Sequence, residues 1–233
     1  MQEVTYIDLG LKDYKETWDY QIRLQQQIIE AKTGQRPDER MNYLLFVEHP
    51  HVYTLGKSGK ENNLLIQDKL LKSIGAAFYK IDRGGDITYH GPGQLVGYPI
   101  FDLDSLAIGV KDYIHGLEQV IIDTLAEFGI AASQMEGATG VWLEPDNPGH
   151  ARKICAMGVK VSRSVTMHGF ALNVNTDLGY FSYINPCGFT DKGVTSLAKE
   201  LGAVQPMDKV KKLLLNNMQR VFQLSAIIYK NMT

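Results

Sequence analysis

Arg83-Gly84-Gly85-Asp86-Ile87-Thr88-Tyr89-His90-Gly91-Pro92-Gly93-Gln94-Leu95-Val96-Gly97-Tyr98-Pro99-Ile100-Phe101 holds two strand-like runs, Ile87 to Tyr89 and Gln94 to Phe101. The turn Arg83–Asp86 precedes them, and Ala77 to Ile81 leads into that turn as a further strand. Strands joined by tight turns lack the strand–helix–strand beat of a doubly wound sheet. Outward from here, Val4 to Ile7, Tyr43 to Val47 and Val52 to Leu55 also read as strands, as do 140–144, 153–162 and 169–175. A helix is expected from Asp13 as N-cap, with Tyr14, Trp18, Ile22, Gln25 and Ile29 on one stripe. Val110, Ile114, Leu117, Ile121, Leu125 and Phe128 predict a second over 110–128, with Gly129 at its end. A third pattern covers 207–228. The fold class that follows is α+β: a mixed, mostly antiparallel sheet with packed helices, in one domain over 1–233.

The chain has 233 residues, 44% hydrophobic and 21% charged, enough for a substantial core. Lys+Arg 24 against Asp+Glu 26 argues against a general binder of nucleic acid or membrane. Two cysteines make no disulfide framework, no apolar run approaches a membrane span, and the first residues show no export signal. A cytoplasmic protein is the expectation.

Two familiar patterns fail. Gly56-Lys57-Ser58 suggests a phosphate loop, but position 51, where that loop needs glycine, is His. His49 and His51 could share a face and a metal, yet no cysteine or carboxylate cluster of ligand spacing accompanies them.

Between 83 and 99 five of seventeen residues are glycine, interleaved with Arg, Asp, Thr, Tyr, His and Gln. Glycine admits a ligand close to the backbone, and so varied a polar set exceeds what turns need. We read a binding wall. The stretch 147–176 has no Asp or Glu but carries Arg152, Lys153, Lys160 and Arg163. Strand alternation puts Lys153, Cys155 and Met157 on one face, Ile154 and Ala156 on the other. Gly158 and Gly169 suit either close approach of a ligand or ordinary bulges. Cys187, between Pro186 and Gly188, lies on a turn, whereas Cys155 lies within a strand. Reactive thiols need exposure and a positive neighbour, so Cys187 is the better nucleophile candidate.

R-G-G-D-I-T-Y-H-G-P-G-Q at 83–94, K-I-C-A-M-G-V-K at 153–160, H-G-F-A-L-N-V-N at 168–175 and I-N-P-C-G at 184–188, with H-P-H-V-Y-T-L-G-K at 49–57, follow one another across nearly the whole chain. In order and spacing they resemble the lipoyl(octanoyl) transferases, the octanoyl-[acyl carrier protein]:protein octanoyltransferases of the biotin/lipoate protein ligase superfamily. His51 departs from the Pro that many relatives carry.

The resemblance implies the ligase catalytic fold. It also implies transfer of an octanoyl group from octanoyl-acyl carrier protein to a lysine of lipoyl domains, those of 2-oxoacid dehydrogenases and of the glycine cleavage H protein. Matched position by position, Cys187 carries the acyl thioester and Lys153 lowers its pKa. Arg83, Gly84, Gly85, Asp86, Ile87, Thr88, Tyr89 and His90, then Ala156, Met157 and Gly158, and Gly169, Phe170 and Ala171, line the acyl site. No ATP, metal or other cofactor is implied. The protein partners are generally acidic, and Arg152, Lys160 and Arg163 are the expected docking charges. The alternatives are an ATP-dependent lipoate or biotin ligase of the same fold, which needs no thiol, and a silent carrier-binding module, which would lack the Lys–Cys pair.

Overall fold

Asp13 opens the first helix as its sequence position suggests. Its carboxylate accepts the Glu16 N–H at 3.1 Å, and α1 runs Tyr14–Lys32 in the computed structural model, which describes residues 2–34, 41–185 and 192–230. Of the expected stripe, Tyr14, Gln25 and Ile29 are buried, Ile22 is exposed, and Thr17, Gln21, Leu24 and Ile28 join the inward face. The polar members are tolerated because the neighbouring strand supplies partners: Gln21 Oε1 accepts the His168 N–H, and Gln25 Nε2 donates to the Val165 carbonyl.

The strands β1 (Glu3–Leu11), β2 (Asn42–Glu48), β6 (Gln94–Ile100), β8 (Arg152–Ser162), β9 (Val165–Asn173), β10 (Gly193–Val194) and β11 (Ala226–Tyr229) form one sheet in the order β10-β8-β9-β6-β2-β1-β11. An eighth strand, β7 (Val141–Leu143), pairs with β8. Pairing is antiparallel through the centre and parallel at the two edges, β10–β8 and β2–β1–β11. A smaller sheet, β4-β3-β5, holds β3 (Val52–Leu55), β4 (Ala77–Lys80) and β5 (Ile87–His90).

Both faces of the large sheet are covered, which explains the unbroken apolar run Tyr43–Val47. Tyr43, Leu45 and Val47 pack with Leu24 and Ile28 of α1; Leu44 and Phe46 join the core under α3 (Val110–Ala126) and α5 (Met207–Val221). In α3 the inward residues Tyr113, Leu117, Val120, Ile121, Thr124 and Leu125 keep helical spacing. Two short helices, α2 (Asp68–Ser73) and α4 (Leu197–Leu201), complete the fold among the described residues.

Two boundaries differ from expectation. The last helix stops at Val221, Gln223 turns to φ 50°, and Ala226–Tyr229 pairs with Glu3–Tyr6 as the edge strand β11. The β-rich Ile227-Ile228-Tyr229 favours that ladder over three more helical residues. β9 begins at Val165 rather than 169, and it contains His168 at φ 62°, a conformation that obscures its strand pattern.

Candidate active site

Between β5, β8, β9 and the loop 137–139 lies a cavity of about 310 Å³. Its far wall is the glycine-rich turn, and its shape depends on close backbone approaches. A methyl group at Gly158 would meet the Gly84 carbonyl at 2.7 Å, and one at Gly169 would collide with the Gly97 carbonyl. These two glycines are register partners across β8 and β9 with no bulge between them. They let the turn close in on β8 and β6 approach β9.

Arg83 is buried and braces this wall. Its Nη2 donates to the Thr54 carbonyl at 2.8 Å and to Thr54 Oγ1 at 3.0 Å, and its Nη1 donates to the Gly84 carbonyl at 3.0 Å. Asp86 caps the turn, accepting the Ile87 N–H at 2.7 Å and Asn63 Nδ2 at 2.6 Å.

His90 joins two polar networks. Thr54 Oγ1, which accepts from Arg83, lies 3.4 Å from His90 Nε2, while His90 Nδ1 lies 2.8 Å from Gln94 Oε1. Gln94 Nε2 donates to Asn173 Oδ1, and Asn173 Nδ2 to the Thr195 carbonyl. One tautomer satisfies the whole line: the Thr54 hydroxyl donates to Nε2 and Nδ1–H donates to Gln94. Burial, with the neighbouring His49 next, pushes the His90 pKa down to about 3, so the ring is neutral. His90 therefore orders the cavity floor, tying it through Asn173 to Thr195, whose N–H donates to the Lys153 carbonyl at 3.0 Å.

Lys153 reaches the cavity because β8 does not alternate as its sequence suggests. Val141 pairs with Cys155 but Trp142 pairs with Lys153, a one-residue slip. Lys153 and Ala156 thus line the cavity, while Ile154 and Cys155 are wholly buried in the core. The expected common face of Lys153 and Cys155 is lost. Burial holds the Cys155 thiol far above its ordinary pKa and keeps it protonated. The Lys153 ammonium donates to the Thr139 carbonyl at 3.0 Å and sits 4.6 Å from the centre of the Trp142 ring. That cradle is itself secured twice: the buried Glu118 carboxylate accepts the Gly140 N–H at 2.9 Å, and Trp142 Nε1 donates to the Ala138 carbonyl at 2.8 Å.

Of the segments singled out in the sequence, Arg83, Gly85, Asp86, Ile87, Thr88, His90, Ala156, Met157, Gly158, Gly169, Phe170 and Ala171 surround the cavity together with Lys153. Gly84 and Tyr89 do not. The Gly84 N–H is bound to the Val159 carbonyl, and the Tyr89 ring stacks with His51 and Tyr180 on the other side of β5. Cys187 lies outside the described residues. The described residues on either side of that segment, Phe181 before it and Lys192 to Val194 after it, line the cavity.

Sequence reasoning missed Tyr14, Trp142, Thr139 and Glu118. Gly137 and Gly140, both at positive φ, bracket the cradle and were the available signal. Two of the three expected docking charges are paired within the fold: Arg152 is held by Glu200 and Glu144, and Lys160 by Asp82 at 2.6 Å, whereas Arg163 is exposed and forms no ion pair among the described residues. His49 and His51 diverge: His49 bonds the Lys12 carbonyl and Tyr98, His51 bonds Tyr89. At Lys57 and Ser58 the backbone N–H groups are taken by the Arg83 and Gly85 carbonyls.

A mixed sheet clad by helices thus encloses a mainly apolar cavity with the Lys153 ammonium cradled in its wall, the form of an enzyme pocket for an apolar group. The chain belongs to the family of the lipoyl protein ligase A/B catalytic domain, whose model matches residues 13–219. It is 56% identical to an octanoyltransferase of Cytophaga hutchinsonii over 93% of this chain and 91% of the relative. It is also 55% identical to an octanoyltransferase of Parabacteroides distasonis over 95% of this chain and 100% of the relative. Among solved structures, the bipartite lipoate protein ligase of Thermoplasma acidophilum shares the fold, with TM-score 0.71 and 15% identity over 100% of this chain and 88% of that one. A lipoate-protein ligase A bound with ATP does so at TM-score 0.71 and 14% identity, over 100% and 90%.

Proposed function

We propose that this chain, acting as one catalytic unit, moves an octanoyl group from octanoyl-acyl carrier protein to a lysine of a lipoyl domain, through a thioester on Cys187. The observation that carries the reading is the 56% identity to an octanoyltransferase over 93% of the chain. The chain is an acyltransferase, and the cavity walls suit its cargo. Six buried methylenes contribute roughly 5 kcal/mol at ~0.8 kcal/mol each.

In the first step the Cys187 thiolate attacks the octanoyl carbonyl and the carrier's thiolate departs. The Lys153 ammonium favours the attacking thiolate, then protonates the departing carrier thiolate to a thiol and becomes a neutral amine. In the second step the acceptor lysine attacks the Cys187 thioester as a neutral amine. Its surplus proton passes to Lys153, and the Cys187 thiolate leaves, restoring the starting ion pair. Exchange between thioesters is nearly balanced, and formation of the amide makes the second step downhill. The cradle of Thr139 and Trp142 supports this role, because it holds the Nζ atom against one carbonyl and one ring face.

Partners in lipoylation and a cytoplasmic setting complete the reading. No helix among the described residues is long and apolar enough to cross a membrane. The test is intact-mass spectrometry after mixing with octanoyl carrier protein in the absence of ATP. An octanoyl adduct is expected on the native chain and on Cys155→Ala, and none on Cys187→Ala. An adduct that survives Cys187→Ala, or activity that requires ATP, overturns the proposal in favour of another nucleophile or of the ligase chemistry.

A further inference from the structure

The cations of this chain are unevenly matched. Several of them have acidic partners: Lys32 has Asp102 and Asp104, Arg152 has Glu144 and Glu200, Lys160 has Asp82, and Lys211 has Asp8. Others, among them Lys111, Arg163 and Lys212, are exposed and form no ion pair among the described residues. The corner 56–73 gathers four such cations in one short stretch. Lys57, Lys60, Lys69 and Lys72 are all exposed there, and none forms an ion pair among the described residues. Of the two acids in that segment, Glu61 is neutralised by Lys80 at 2.7 Å, leaving Asp68. Two leucines stand among the lysines, Leu65 at 58% exposure and Leu70 at 40%.

This corner is fastened to the acyl wall and to the chain leading to Cys187. The N–H groups of Lys57 and Ser58 donate to the Arg83 and Gly85 carbonyls, and Asn63 Nδ2 binds Asp86. On the other side Leu65 N–H donates to the Tyr183 carbonyl and Asn185 N–H to the Asn63 carbonyl, the latter at 2.8 Å. Leu64 and Ile184 form an antiparallel bridge between these contacts. An exposed basic and apolar surface thus borders the cavity wall and Asn185, the last described residue before the nucleophile segment.

We infer that the corner 56–73 is the docking surface for an acidic acyl carrier protein presenting its octanoyl thioester. The inference rests on the transferase reading above and names the surface its donor uses. Charge complementarity selects an acidic protein. Contact with the Arg83–Asp86 wall favours the donor, which must thread an eight-carbon chain past that wall, over the acceptor, which brings only a lysine tip. Rim charges of this kind set the association rate, and salt screens them over ~8 Å at physiological ionic strength.

The test is the rate of Cys187 acylation, followed by intact mass at low and high salt, in the triple variant Lys60→Glu, Lys69→Glu, Lys72→Glu. With octanoyl carrier protein the second-order rate constant is expected to fall ten- to a hundredfold at low salt and to lose most of its salt dependence. With octanoyl-pantetheine, which lacks the protein, it is expected to be unchanged. If carrier-dependent acylation is unaffected while transfer from Cys187 to a lipoyl domain slows, the corner serves the acceptor and the inference is wrong. If both donors slow equally, the substitutions act on the pocket and the inference is equally wrong. A native chain that takes octanoyl from neither donor overturns the transferase reading itself, and the docking surface with it.

Discussion

Glu118 touches no predicted substrate atom, yet the structure makes it decisive for Lys153. Its carboxylate is buried on α3 and accepts the Gly140 N–H at 2.9 Å, fixing the turn whose Thr139 carbonyl binds the Lys153 ammonium at 3.0 Å. Glu118→Ala removes a charge-assisted bond worth roughly 1.5–3 kcal/mol and leaves a buried N–H unsatisfied. For a chain of this length, 1 kcal/mol corresponds to about 2–4 °C, so the melting temperature is expected to fall by roughly 3–12 °C. The chemical effect is separable from that loss. A turn displaced by about 1 Å misaligns the ammonium, and misplacement of that size costs up to ~100-fold in rate. Octanoylation of Cys187, measured well below the melting transition, is expected to slow ten- to a hundredfold. The pH midpoint for alkylation of Cys187 is expected to rise, because the ammonium that favours thiolate has drifted. Glu118→Gln keeps an acceptor for Gly140 and is expected to restore most of both properties. A Glu118→Ala chain that melts early but retains the native acylation rate and alkylation profile would refute the coupling between Glu118 and Lys153.

Lys153→Met is expected to move the Cys187 alkylation midpoint to higher pH, since an opposite charge within ~4–6 Å favours the thiolate; an unmoved midpoint excludes electrostatic activation. Acid sensitivity is also expected from the buried histidines, His49 with its pKa lowered to about 4 and His90 to about 3, both mainly by burial. Below pH ~6.5 the unfolded chain protonates these rings while the folded chain does not, so stability declines as pH falls. The slope approaches roughly 1.4 kcal/mol per pH unit for each ring down to about pH 4. His90→Gln should remove its share of that slope in urea melts between pH 7 and 5, and an unaltered slope would mean His90 is not held neutral. Gly97→Ala places a methyl group against the Phe170 ring. Overpacking of that kind costs about 1–3 kcal/mol. It should also press Phe170 into the cavity, so the ratio of hexanoyl to octanoyl acylation rates should rise; a constant ratio would place Phe170 away from the acyl chain.

The elements that follow from local chemistry were legible in the chain. Asp13 caps α1 because a carboxylate next to free N–H groups needs no tertiary partner, and the α3 stripe follows from helical spacing alone. The glycine-rich turn at 83–86 and the strands beside it were equally plain. Less visible were features fixed by distant neighbours. Gln21 lies off the expected stripe of α1 until β9 provides its partner, and the chain from 226 to 228 reads as helix until β1 offers an edge to pair with.

Five separated motifs mark the family in the chain alone, because their order is independent of any contact. The glycine-rich wall and the turn around Cys187 could be read from the residues themselves, whereas Lys153 was distinguished from the other lysines only by its place in the family's motif. Which way Lys153 and Cys155 turn depends on the fold. The slip between β7 and β8 aims Lys153 into the cavity and leaves Cys155 in the core. Packing of α3 against the 137–142 turn creates the cradle from Glu118, Thr139 and Trp142. Folding brings Glu144, Glu200 and Asp82 onto a stretch without acids of its own, and so pairs Arg152 and Lys160 there. The physical reason is range: propensity and intrinsic pKa act within a few residues of sequence, whereas register and charge pairing depend on groups that only the fold makes neighbours.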